Sequence, residues 1–223
     1  MPSTFIDLAQ TCAPNVAVEI LAGVVSLESE FAPLAIRVNS GAPLSKQPTT
    51  KAEAIEIASI RALEKQDIQL GLGGIGVEEL RKLKLSISDA FDPCLNLQAT
   101  AYLLDGYYRL AVKAGADAER AERVMLQSYY GRDDASIGAM VKYDEQVRQE
   151  IKRLSENLAA LTIGVGGQRR RPAALASADG VVEDPKGERS TDRSASVPIW
   201  DVFNSRGRSS VLLFQNNQPE QSE

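Results

Sequence analysis

The chain has 223 residues, 43% of them hydrophobic and 25% charged, with a formal net charge of -5. That is a globular composition; its acidic balance disfavours a nucleic-acid partner, which asks for a basic footprint, and no run of about 18 apolar residues exists to span a membrane. Histidine is absent, which removes Ser-His and Cys-His nucleophile pairs and histidine-based metal sites, and leaves any chemistry to carboxylates, hydroxyls, lysine or tyrosine.

The N-terminal stretch "MPSTFIDLAQTCAPN" has neither a basic n-region nor a long apolar h-region, so it does not read as a standard secretory signal. Either the protein stays inside, or it leaves by another route, or the sequence is a processed or differently started form. The first clear helical period runs from Pro14 to Ser29. Val16, Ile20, Val24 and Leu27 recur at helical spacing, and Ala17, Leu21, Val24 and Glu28 form an adjoining row. Pro14 fits a first turn, and Pro33 is a stop signal beyond the end. Residues Asn39 to Pro48 are rich in turn formers and read as a loop or short hairpin.

Thr50-Lys51-Ala52-Glu53 matches a capping box and opens a helix to about Lys65. The glycine-dense stretch "LGLGGIG" follows, then "VEELRKLKL" as a short helix. Asp92-Pro93 reads as a turn, Leu97 to about Ala114 as a core helix, and Asp117 to Tyr130 as another. Asp133 or Asp134 starts the next, and Lys142 to about Leu161 reads as an exposed, charge-laced helix. These elements predict an all-α, mainly helical domain over residues 1–163. Residues 164–196 lack apolar period and read as a disordered linker. Residues 197–223 carry Trp200, Phe203 and the run Val211 to Phe214; this segment is either a docking segment or a tail strand that packs on its own domain.

Glu28 continues an apolar row, so it is expected to lose water, and desolvation favours the protonated acid. A proton donor working near neutral pH needs such an environment; a helix-end carboxylate that merely reaches solvent is the alternative. Cys12 and Cys94 are too few for a structural zinc site without histidine; they form a disulfide or stay as two buried thiols.

The segment "CAPNVAVEILAGVVSLESEFAPLAIRVN" resembles the start of the specialised lytic transglycosylases of type IV secretion and conjugation systems, whose catalytic domain is goose-type-lysozyme-like. That family has a cysteine near the start, a helix, a Glu-Ser pair and an Asn-Pro-x-Ala-Ile-like turn; Cys12, Glu28-Ser29 and "FAPLAI" fit it. Three more pieces follow in order: "GLGGIG" from Gly71 to Gly76, "FDPCLNLQATAYLL" from Phe91 to Leu104, and "SYYGRDDASIGAMVKYDEQV" from Ser128 to Val147. The resemblance covers roughly Phe5 to Ile151.

The resemblance implies cleavage of the β-1,4 bond between N-acetylmuramic acid and N-acetylglucosamine in peptidoglycan, with a 1,6-anhydromuramoyl product and no cofactor or metal. Glu28 would be the single catalytic acid. Ser29, the loop residues Gly71, Leu72, Gly73, Gly74 and Ile75, and Tyr129 or Tyr130 would bind substrate or support the carboxyl group; as a plain reading, both tyrosines are half-buried aromatics with polar tips. Cys12 and Cys94 would form a disulfide. The implied partners are peptidoglycan glycan strands and, through the C-terminal tail, components of the secretion apparatus, in the periplasm.

The sequence departs from the family pattern in one place. Gly74 stands at the family's glutamine position and Gly76 at its asparagine position. On this ground Gly74→Gln with Gly76→Asn is expected to raise turnover several-fold, unless Gln69 or a tyrosine supplies the missing contact. The same departure keeps a second function open, a catalytically weakened peptidoglycan-binding assembly factor.

Overall fold

Thr4 begins the first helix, α1 (Phe5–Cys12), as an N-cap whose hydroxyl accepts from the Asp7 amide and donates to the Asp7 carboxylate. A computed structural model describes residues 4–163 of the chain; the linker and tail expectations, 164–196 and 197–223, lie outside the described residues.

The helix expected from Pro14 divides. Helix α1 ends at Cys12, and Pro14 lies in the turn that follows, where the Val16 amide donates to the Ala13 carbonyl. Helix α2 (Val18–Ser29) then carries the apolar rows, with Leu21, Val24 and Val25 fully buried and Glu28 buried beside them. Glu30 ends it in the left-handed region, so the stop precedes Pro33. A short strand, β1 (Ile36–Val38), comes next. The loop after it returns Gln47 to the β1 backbone, donating to the Ile36 carbonyl and accepting from its amide.

Helix α3 (Lys51–Leu63) starts at the expected cap, with Thr50 accepting from the Glu53 amide. The return arm of the box differs: Glu53 accepts from the backbone and hydroxyl of Thr49, not of Thr50. Strands β2 (Ile68–Leu70) and β3 (Ile75–Gly76) then form a hairpin, pairing Gln69 with Gly76 and Leu70 with Ile75. With β1 against β2 this makes a three-stranded antiparallel sheet in the order β1-β2-β3. This small sheet sits within the mainly helical fold that the sequence predicts.

Helices α4 (Val77–Lys82) and α5 (Ile87–Ala90) lead to the long central helix α6 (Pro93–Lys113). The Asp92-Pro93 pair is its start, not a separate turn: Asp92 caps the Cys94 and Leu95 amides, and Pro93 occupies the first turn, where its missing N–H costs nothing. Asp117 caps α7 (Ala118–Gly131), and Asp134 caps α8 (Ala135–Met140). Helix α9 (Tyr143–Leu154) is shorter and less exposed than the sequence suggests. Its row of Tyr143, Val147, Ile151 and Leu154 faces α2 and the core.

Two features close the domain. The Phe5 amide donates to the Leu161 carbonyl, joining the end of the described chain to its start. A disulfide joins Cys12, at the end of α1, to Cys94, in the first turn of α6, with Cα atoms 5.3 Å apart. The domain is mainly helical, in keeping with a lysozyme-like class, and the sheet and the end of α2 meet on one side of its core.

Candidate active site

Glu28 ends the buried face of α2 and is 7% exposed. Its Oε1 accepts a 2.6 Å hydrogen bond from the Tyr143 hydroxyl. Burial pushes that hydroxyl well above its ordinary titration range, so Tyr143 stays a donor. Helix α9 can bring Tyr143 this close because Gly23 lies where α9 crosses α2; a Cβ there would stand 2.9 Å from a Val147 methyl. Tyr143 lies within the quoted motif, yet the sequence reading singled out Tyr129 and Tyr130. The signal was the spacing Tyr143, Val147, Ile151, Leu154, an apolar row within an otherwise charged helix.

The second carboxyl oxygen, Oε2, is ion-paired with the Arg37 guanidinium of β1, though without the geometry of a hydrogen bond. The sequence reading did not place a cation here. Burial and the cation act in opposite senses on the carboxyl group, one favouring the neutral acid and the other the carboxylate. The expectation from burial alone is therefore incomplete.

The "LGLGGIG" stretch is the β2–β3 hairpin and its turn, all of it buried. Asn96, 1% exposed on α6, holds it with its whole amide: it donates to the Leu70 and Ala90 carbonyls and accepts from the Gly73 amide. Asn96 lies within the Phe91–Leu104 motif, where no local spacing signals this role. The Tyr129 hydroxyl donates to the Gly73 carbonyl at 2.6 Å, and the Ser29 hydroxyl donates to the Leu72 carbonyl at 2.7 Å. Both residues therefore tie the turn in place and neither hydroxyl donates to Glu28. Leu72 and Ile75 turn their side chains into the core, at 0% and 1% exposed, which leaves only their backbone for a ligand. Gly71 and Gly73 press on Asn96 and Thr100. Tyr130 packs against the Tyr143 ring with centroids 5.0 Å apart.

Gly74 is the turn residue that meets Glu28. Its φ is +64°, and a Cβ there would stand 2.6 Å from Glu28 Oε2. A Cβ on Gly76 would collide with the Glu79 carboxylate and lie 3.4 Å from the Arg132 guanidinium carbon. The expected gain from Gly74→Gln with Gly76→Asn is corrected accordingly. Side chains at these positions would have to enter space that Glu28 and Glu79 already fill, and a left-handed backbone penalises any residue but glycine at 74. The double variant is expected to melt several degrees lower than the natural chain, measured by thermal denaturation; an unchanged melting temperature would show that the loop makes room.

Among the described residues, no group of three or more acidic or cysteine side chains is arranged to hold a metal ion, and no helix is long and apolar enough to cross a membrane. A buried carboxyl group held by a phenol on Oε1 and a guanidinium on Oε2, beside a glycine turn, can exchange a proton with a ligand that displaces Arg37 from Oε2.

No family model and no solved structure matches the chain. Curated relatives do. The chain is 37% identical over 127 residues to the type IV secretion system protein virB1 of Brucella abortus, covering 56% of this chain and 53% of that protein. It is 30% identical over 160 residues to protein virB1 of Agrobacterium fabrum, covering 70% and 62%, and 33% identical over 105 residues to protein virB1 of Rhizobium radiobacter, covering 47% and 43%. The matched part thus spans about half the length of the Brucella relative. Over the matched residues the chain is thus similar to the VirB1 proteins of type IV secretion systems.

Proposed function

We propose that the protein is a peptidoglycan lytic transglycosylase that opens the cell wall locally, in the periplasm, for a type IV secretion or conjugation apparatus. The observation that carries this reading is Glu28, a carboxyl group buried at the end of α2 with Tyr143 on one oxygen and Gly74 and Arg37 at the other. Glu28 first gives its proton to the glycosidic oxygen as the bond from the muramic acid C1 to that oxygen breaks. The resulting carboxylate takes the proton from the C6 hydroxyl of the same muramic acid as that oxygen bonds to C1. The ring closes to the 1,6-anhydro sugar, Glu28 is protonated again, and no water is consumed. One carboxyl group performs both transfers, whereas hydrolases of the two-carboxylate type need a second as base or nucleophile. Tyr143 steadies Oε1 throughout, and Oε2 exchanges its Arg37 partner for the sugar.

The Arg37 pair favours a second reading, the weakened peptidoglycan-binding assembly factor, since a cation on Oε2 favours the form of Glu28 that cannot donate a proton. Purified protein incubated with sacculi separates the two: release of soluble muropeptides supports the enzyme, and binding without release supports the assembly factor. Arg37→Ala bears on the same point. If Arg37 restrains the acid, the variant releases muropeptides several-fold faster at neutral pH, and an equal or slower rate would mean that Arg37 assists the reaction or plays no part in it.

A further inference from the structure

Glu79, on α4, is a second buried acidic side chain close to the glycine turn. It is 6% exposed, and its Oε2 has no hydrogen-bond partner. The side chain folds back over Gly76 and lines a pocket with Gln69, Gly74, Leu103 and Tyr107. Gly74 belongs to this pocket and also abuts Glu28, so the pocket adjoins the candidate acid.

Four nearby donors are directed elsewhere. Lys82 pairs with Asp133 at 3.0 Å, and Arg132 pairs with Asp67 at 2.6 Å. The Tyr107 hydroxyl donates to Asp133, and the Tyr129 hydroxyl donates to the Gly73 carbonyl. Asp133, held below its ordinary range first by Tyr107 and then by Lys82, is the acceptor that draws Lys82 and Tyr107 away. A buried carboxylate oxygen left without a donor costs stability, so a fold that keeps one beside a cleft leaves it for a ligand. The ligand must bring a hydrogen-bond donor. Arg132 and Lys82 nearby oppose a cationic group, which leaves a neutral hydroxyl or amide N–H, the donors of an N-acetylated sugar. Gln69 stands across the hairpin from Gly76 and lines the same pocket, so a side-chain amide is available there although positions 74 and 76 carry none.

We propose that Glu79, with Gln69 beside it, is a glycan-binding residue whose Oε2 accepts a hydrogen bond from a hydroxyl or N-acetyl N–H of a sugar bound next to Glu28. This rests on the glycan-cleaving reading above. The test compares wild type, Glu79→Gln and Glu79→Leu on peptide-free glycan strands, reading KM, kcat and melting temperature. Loss of one hydrogen bond to a charged group raises KM about tenfold in the Leu variant, with kcat within about twofold of wild type and a melting temperature equal to or above it. The Gln variant, which keeps an acceptor oxygen, falls between. An unchanged KM in an active wild-type background overturns the inference alone. So does a lower melting temperature with parallel loss of kcat, which is the signature of a structural role. A wild-type protein that neither binds nor cleaves the strands overturns the glycan reading and this inference with it.

Discussion

Glu28→Gln is expected to stop muropeptide release from sacculi, lowering the rate by roughly three orders of magnitude, in the range that loss of a general acid–base group produces. The amide keeps the size of the carboxyl group, and its oxygen can still accept from the Tyr143 hydroxyl, so the end of α2 keeps its shape. It has no acidic proton to give to the leaving oxygen and no basic oxygen to take one from the C6 hydroxyl, so both halves of the reaction fail together. Arg37 loses its counter-charge, but its side chain is 40% exposed and water can hydrate it, so the effect on stability is modest. The variant is therefore expected to melt within a few degrees of wild type and still bind glycan. Retained release at the wild-type rate would remove Glu28 from the mechanism.

Opening the Cys12–Cys94 bridge carries the largest expected cost to stability. The bond closes 82 residues of chain, and the loop-entropy model gives about 4 to 5 kcal/mol for a loop of that size. For a domain of this length that corresponds to a melting temperature lower by roughly 10 to 15 °C. Activity should follow, because the bridge anchors the first turn of α6, from which Asn96 holds the glycine turn that meets Glu28. Cys12→Ser with Cys94→Ser, and wild type in reductant, should show the same lowered melting point. A double variant that melts with the oxidised protein would mean that the packing of α1 on α6 holds this corner unaided.

The features that the sequence made plain are those decided locally. Thr50, Asp117 and Asp134 cap their helices because a short polar side chain next to the free amides is enough. The burial of Glu28 followed from its place on the Leu21–Val24 row. The sheet was hidden because its strands have three, three and two residues, too few for alternation to declare itself. Helix α1 was hidden for a similar reason: the strong period after Pro14 drew the start of α2 backward over the turn. Tyr143 was obscured by the charged residues of α9, although its apolar row was present. The Arg37–Glu28 pair joins β1 to α2, and the unpartnered Oε2 of Glu79 depends on where Lys82, Arg132 and Tyr107 turn. Such relations are tertiary, and no local spacing encodes them.

Mass analysis of the muropeptides released from sacculi in heavy-oxygen water tests the central claim most directly. If Glu28 alone relays the proton while the C6 hydroxyl attacks C1, the products end in 1,6-anhydromuramic acid and carry no solvent oxygen at that end. Reducing ends labelled with heavy oxygen would contradict the account, because water would then be the nucleophile, as in a lysozyme-type hydrolysis.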